Sequence, residues 1–302
     1  MKSTLYRTRI EVEAYDLGAT LESGQAFRWD WHGDGEGNGG WEGVIAGRWV
    51  RLRRADDAIE AEAVVCPGDW RWLTDYLRTE ELLAPILESF PKDRPMVAAM
   101  ESCRGLRLLR QEPWECLASF LLSSTKQIPQ IRQGIRHLSE RYGERIPGPI
   151  GRGDVYAFPA ARRLAEAPEG ELRECRIGFR AKYLKAVAAA VAGGEVRLEA
   201  IGGLPLEEAR ASLEVLPGVG PKIADCVLLF AYGLPKAFPV DVWVMKALRE
   251  LYFEGRQIRP DELRAFSRNH FGPNAGYAQQ YLFHHIRQRA GRVSARRVET
   301  RR

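Results

Sequence analysis

The stretch Leu213–Phe230, LEVLPGVGPKIADCVLLF, decides the reading of this chain. A helical pattern runs to about Val215 and meets Leu216-Pro217-Gly218-Val219-Gly220. That segment reads as a tight turn whose two glycines are free to take positive φ. Pro221 suits the first position of a second helix, where its missing N–H costs nothing. Ile223, Val227 and Phe230 give the second helix an apolar face. The glycines let another backbone come close, and the N–H groups opening the second helix have no partner within it and can hold a phosphate. Such a hairpin grips DNA through its backbone without reading the bases. An ordinary helix–helix turn needs only one glycine, so Gly218 and Gly220 together, with Pro221-Lys222 following at once, point to this use.

Lys222 falls in the first turn of the second helix. A cation there faces the positive end of the helix dipole, and burial in a cleft would act in the same direction. Both favour the neutral amine, the form that attacks carbon. A surface lysine that binds phosphate is the other reading, and both stay open at this point. Phe238-Pro239-Val240-Asp241 follows. The proline keeps a helix from starting earlier, and Asp241 is typed as the N-cap of a helix over Val242–Leu248. Capping alone accounts for an aspartate here. A capping carboxylate is also held rigidly and stays ionised, so it could stabilise an oxocarbenium-like sugar.

Outward from the hairpin, two regions differ in character. The first 100 residues read as β-rich, with short aromatic and β-branched segments at Trp41–Ile45 and Arg48–Leu52. The loop His32–Gly40, HGDGEGNGG, reads as a mobile hairpin connection. A helical pattern begins over Asp69–Arg78, and Pro91, Asp93 and Pro95 mark a break. From about Val97 helical spacing takes over: Leu117, Phe120 and Leu121, then Ile128, Ile131, Ile135 and Leu138, with Ser123-Ser124-Thr125 as a junction between them. Further helices are predicted over Lys182–Ala192, ended by Gly193-Gly194, and over Leu206–Val215. The fold class is therefore α+β: an antiparallel β domain over residues 1–100, a helical domain over 101–290, and a basic tail over 291–302.

The 302 residues suffice for two modest domains with buried cores. The net charge of +5 favours a polyanionic partner without requiring one. Arginines crowd the end of the chain, at 287, 289, 292, 296, 297, 301 and 302, in a segment with little apolar material that reads as a fraying tail. The five cysteines, at 66, 103, 116, 175 and 226, lack CxxC spacing, so no zinc site or cysteine-ligated iron–sulfur cluster is signalled. No cofactor and no metal is expected. An odd cysteine count without a secretion signal implies reduced thiols in the cytoplasm. No apolar run is long enough to span a membrane.

At this point the residues resemble a known family. LPGVGPKIADC followed by PVDV is similar to the helix-hairpin-helix DNA glycosylases with a Gly/Pro-rich loop and a following Asp, and within them to the 8-oxoguanine DNA glycosylase branch. The match continues in order through SGQAFRW (Ser23–Trp29), GLRLLRQEPWECL (Gly105–Leu117), IGFRAKYL (Ile177–Leu184) and GYAQQYLF (Gly276–Phe283). The resemblance implies a monomeric DNA glycosylase/AP lyase acting on duplex DNA, in the nucleoid of a prokaryote or the nucleus of a eukaryote. It implies that Lys222 displaces an oxidised purine, forms a Schiff base with the sugar and nicks the strand by β-elimination, with Asp241 stabilising charge at the sugar. It further implies that the Gly24 carbonyl accepts from the N7–H that oxidation creates, that Gln279 reads the Watson–Crick edge, and that Cys226 and Phe283 enclose the extruded ring.

The chain departs from the animal members around the opposite base. Thr125 stands in place of an Asn, Gln130 in place of a cytosine-reading Arg, Phe179 in place of a wedging Tyr, and Trp243 in place of a backbone-contacting His, while a second such Arg is retained as Arg180. Two other readings stand beside this one. An alkylated-base glycosylase of the same superfamily would need no amine nucleophile, and a non-catalytic DNA-binding module would need only the hairpin.

Overall fold

A computed structural model describes residues 5–33, 39–124 and 126–291. Thr125, the tip of the His32–Gly40 loop and the arginines beyond Gly291 lie outside the described residues. The chain opens with strand β1 (Tyr6–Glu11) and helix α1 (Leu17–Glu22), followed by β2 (Trp29–His32), β3 (Gly40–Ile45), β4 (Arg48–Ala55) and β5 (Ala58–Ala63). The five strands form one antiparallel sheet in the order β1-β5-β4-β3-β2, with Trp41 opposite Leu52 and Ile10 opposite Ile59. Ala46 and Gly47, both at positive φ, make the two-residue turn between β3 and β4.

Helices follow: α2 (Arg71–Leu77), α3 (Leu83–Glu88), α4 (Arg94–Ser102), α5 (Pro113–Leu121) and α6 (Ile128–Tyr142). The short hairpin β6 (Arg145–Ile146) and β7 (Val155–Tyr156) comes next, then α7 (Ala161–Glu166), α8 (Glu169–Leu172), α9 (Ala181–Ala192), α10 (Leu198–Ile201), α11 (Leu206–Glu214), α12 (Pro221–Phe230), α13 (Val242–Tyr252), α14 (Pro260–Phe271) and α15 (Ala275–Arg289). The fold is thus an antiparallel sheet followed by a helical region, as the sequence predicts. None of the helices among the described residues is long and apolar enough to cross a membrane.

Two apolar cores are present. Trp29, Trp41, Val50, Leu52 and Ile59 of the sheet pack with Leu17, Leu21, Leu73 and Leu77 from α1 and α2. The larger core is helical and includes α3 and α4, through Leu83, Met96 and Ala99, although both helices precede residue 103. The Pro91–Pro95 segment does break the chain there, but it also starts a helix: Asp93 caps α4 by accepting from the Met96 N–H at 2.9 Å.

Candidate active site

The hairpin is built from α11, the turn and α12. Val219 N–H donates to the Leu216 carbonyl at 3.1 Å, with Pro217 second and Gly218 third in the turn at φ +80°. This is a type II turn, which demands positive φ at its third residue. A Cβ on Gly218 would also lie 2.9 Å from the Tyr183 ring. Of the two glycines free to take positive φ, Gly220 does not use that freedom. It is extended (φ −105°, ψ −178°) because it is the N-cap of α12, and a Cβ there would meet nothing within 4 Å. The N–H groups of Gly218 and Gly220 make no hydrogen bond among the described residues. The hairpin therefore presents free donors and open space at one face.

Helix α12 is buried from Ile223 to Phe230, with Lys222 half-buried at its start. The Lys222 Nζ donates to Ser123 Oγ at 2.7 Å and lies 5.2 Å from the centre of the Phe120 ring. Asp241 caps α13, its Oδ1 accepting from the N–H groups of Trp243 (2.9 Å) and Val244 (2.8 Å). Both bonds go to one oxygen, and Oδ2 makes none among the described residues. The helix it caps runs on to Tyr252 rather than ending at Leu248.

These groups share one cleft. A cavity of about 100 Å³ is lined by Gly24, Cys226, Lys222, Asp241, Gln279 and Phe283, together with Phe120, Ser123, Lys126, Ile128 and Gln280. Lys222 and Cys226 stand one turn apart on α12, as do Gln279 and Phe283 on α15. Burial pushes the Cys226 thiol up to about 12, partly countered by the nearby Lys222 charge, so the side chain is a protonated, apolar surface rather than a thiolate. Gln279 is only 3% exposed, and its Oε1 is buried with no hydrogen-bond partner among the described residues.

The loop carrying Gly24 is framed by residues that the sequence reading did not single out. Gln25 is fully buried, and its amide donates to the carbonyls of Thr20 (2.9 Å) and Arg107 (2.8 Å) while accepting from Leu109 N–H (2.8 Å). Gln111 donates to the Gln25 carbonyl at 2.6 Å, and Gln280 to the Ser23 carbonyl at 3.2 Å. Gly24 between them sits at φ +83°, and a Cβ would lie 3.0 Å from Ile128 and 3.1 Å from the Arg287 guanidinium. Only glycine satisfies both conditions. Its carbonyl makes no hydrogen bond among the described residues. Arg287 belongs to this assembly and not to a fraying tail: it lies in α15, donates to the Glu22 carbonyl and stands over the Phe283 ring at 5.4 Å.

Of the residues expected around the opposite base, Thr125 lies outside the described residues, and Phe179, Arg180, Gln130 and Trp243 do not line the cleft. Phe179 is 57% exposed at the tip of a turn in which Arg176 (φ +61°) and Gly178 (φ +63°) are left-handed. Arg180 is 3% exposed, with its guanidinium 4.5 Å from the Phe179 ring, and burial lowers its pKa. Gln130 is exposed at the start of α6, its Oε1 accepting from the Gln127 N–H at 3.1 Å. Trp243 is half-buried in the first turn of α13.

Comparison with known proteins agrees with this geometry. Residues 7–117 match the family described as 8-oxoguanine DNA glycosylase, N-terminal domain, and residues 118–273 match the HhH-GPD superfamily base excision DNA repair protein. The chain is 34% identical to the N-glycosylase/DNA lyase OGG1 of Arabidopsis thaliana, over 88% of this chain and 76% of that protein. It is 28% identical to a probable N-glycosylase/DNA lyase of Methanothermobacter thermautotrophicus, over 93% of this chain and 96% of that one. Among solved structures it superposes on the Clostridium acetobutylicum 8-oxoguanine glycosylase/lyase, in complex with duplex DNA containing cytosine opposite 8-oxoguanine, with a TM-score of 0.86 and 31% identity over 95% of this chain and 98% of that one. A hairpin with free backbone donors, a lysine at its second helix and a capping aspartate in one cleft therefore have a family: this chain belongs to the 8-oxoguanine DNA glycosylase branch of the helix-hairpin-helix N-glycosylase/DNA lyases.

Proposed function

We propose that this enzyme excises 8-oxoguanine from duplex DNA and then nicks the strand, with Lys222 as nucleophile. The observation that carries the reading is that Lys222, Asp241 and Gln279, the last with a buried amide oxygen that has no hydrogen-bond partner among the described residues, all line one cleft beside the hairpin. A base inside duplex DNA cannot reach such a cleft, so the damaged nucleotide is extruded into it. The hairpin N–H groups of Gly218 and Gly220 hold the backbone, and Trp243 contacts it nearby. Phe179 fills the gap left in the stack, while Arg180 and Gln130 face the opposite base.

Within the cleft the Gly24 carbonyl accepts from the base N7–H, and Gln279 pairs with the Watson–Crick edge between the Cys226 wall and the Phe283 ring. The C1′–N9 bond breaks with its electron pair going to the base, the Lys222 amine lone pair forms a C1′–Nζ bond, and the surplus proton of Nζ passes to the departing base. Asp241 stabilises the positive charge that develops on the sugar. Ring opening gives the Schiff base, and loss of a C2′ proton expels the 3′ phosphate. A non-catalytic binding module would have no use for the buried, unpartnered Gln279, and an alkylated-base glycosylase would have none for the amine.

The test is borohydride trapping. A duplex carrying 8-oxoguanine should become covalently linked to the wild-type protein and not to Lys222→Gln, and the same duplex with guanine should link to neither. Equal trapping by the two proteins would overturn the assignment.

A further inference from the structure

We infer that Ser123 is a positioning residue for the Lys222 amine, an inference that rests on Lys222 being the nucleophile. Ser123 follows the end of α5 and is fixed by the last turn of that helix. Its N–H donates to the Phe120 carbonyl at 3.0 Å, and its Oγ lies 2.6 Å from the same oxygen. A carbonyl oxygen only accepts, so the hydroxyl hydrogen is committed to Phe120. The remaining lone pairs of Oγ face Lys222, whose Nζ lies 2.7 Å away. This is the only hydrogen bond that Nζ makes among the described residues.

The direction of that bond matters for the chemistry. A neutral amine has two hydrogens and one lone pair. Because Ser123 can accept from Lys222 and not donate to it, the bond uses an N–H and leaves the lone pair for carbon. A hydroxyl free to rotate could donate to the amine and occupy the lone pair. The Phe120 carbonyl prevents this by holding the hydroxyl hydrogen. The bond also fixes one end of a four-carbon chain that otherwise samples many rotamers. The other polar groups lining the cleft near the amine, Lys126, Asp241 and Cys226, make no hydrogen bond with it. Orientation of the nucleophile therefore depends on a residue at the end of a different helix.

Comparing Ser123→Thr with Ser123→Val removes the hydroxyl at constant shape, because Thr and Val are isosteric. Single-turnover excision of 8-oxoguanine should be about fivefold to tenfold slower in Ser123→Ala and Ser123→Val, the effect of one lost hydrogen bond. Ser123→Thr should excise near the wild-type rate. Affinity for lesion duplex should change by less than about twofold across the set, since the interaction bears on reactivity rather than on binding. Equal rates for the Thr and Val variants, or a wild-type rate for the Ala variant, would overturn the inference. Lys222→Gln run in parallel separates the two readings. If it excises and traps like wild type, the nucleophile assignment falls and takes this inference with it. If it is inactive while Ser123→Ala is fully active, only the role of Ser123 falls.

Discussion

On the proposed reading Asp241 has two jobs, and one substitution separates them. Its Oδ1 caps α13 through two N–H groups, at 2.9 and 2.8 Å, while Oδ2 makes no hydrogen bond among the described residues and Asp241 lines the cleft. Asn is as good an N-cap as Asp, so Asp241→Asn should keep the cap and lose the charge, whereas Asp241→Ala loses both. A carboxylate about 4 Å from a developing positive charge, at an effective dielectric of about 20, stabilises it by about 4 kcal/mol. That energy corresponds to about a thousandfold in rate. Both variants should therefore excise 8-oxoguanine about a thousandfold more slowly in single-turnover assays. Only the Ala variant should melt measurably lower, by the few degrees that about 1 kcal/mol of lost capping implies for a chain of this size. An Asn variant within about tenfold of wild type would refute the electrostatic role, because screening this complete would leave no transition-state interaction of the stated size. An Asn variant that melts as low as the Ala variant would refute the separation of cap from charge.

Three more outcomes follow from named contacts. Gln279→Ala should slow excision of 8-oxoguanine while leaving cleavage of a preformed abasic site nearly intact; a parallel loss of both activities would make Gln279 structural. Excision opposite C, T, G and A should differ less than in an arginine-bearing relative assayed side by side, because Gln130 is neutral and its oxygen already caps the Gln127 N–H; each bidentate base contact is worth about 1–3 kcal/mol, so an equally sharp cytosine preference would contradict this. Stability should fall as pH drops from about 6.5 to about 4, because burial, aided by the Arg287 and His285 charges, lowers the His284 pKa to about 4. The unfolded chain binds that proton first, so the loss reaches up to about 3 kcal/mol at the acid end, and His284→Gln, which cannot titrate, should flatten the slope in denaturant melts at stepped pH.

The parts of the fold legible in the sequence were those with strong local signals. LPGVGPK marked the hairpin because proline and two glycines carry backbone geometry in their identity. Which of the two glycines uses that freedom is not written in the motif: Gly218 is left-handed and Gly220 is extended as the α12 N-cap. Strand β5, Ala-Ile-Glu-Ala-Glu-Ala, had no such signal. Alanine and glutamate are poor strand formers, and this segment is a strand because β1 and β4 pair with it on both sides. Site residues were legible where a motif contained them. Gln25 lay in plain view inside SGQAFRW, but its role depends on carbonyls at Thr20 and Arg107, far apart in sequence. Ser123 read as a junction because the partner that gives it a function is 99 residues away. Arg287 was grouped with its arginine neighbours by composition, although α15 carries it against Phe283.

The two buried glutamines show how fold and function can be told apart here. Gln25 makes a full set of hydrogen bonds inside the protein, so the fold alone explains why it is there. Gln279 is equally buried, yet its oxygen has no partner among the described residues. An unmet acceptor of that kind costs about 1–3 kcal/mol, which a donor from a bound base would recover. On the proposed reading that donor belongs to the Watson–Crick edge, where guanine and 8-oxoguanine carry the same hydrogens. Gln279 therefore cannot tell damaged from undamaged base, whatever its contribution to binding. The distinction falls to a group facing N7, which is an acceptor in guanine and an N–H donor after oxidation. On the same reading the Gly24 carbonyl is that group, and its neighbours Ser23 and Gln25 are fixed by hydrogen bonds to their carbonyls from Gln280 and Gln111. Against normal guanine it would face a lone pair and repel it. The rigid frame around Gly24 then matters more than the carbonyl itself, because a carbonyl free to turn away would forgive the undamaged base.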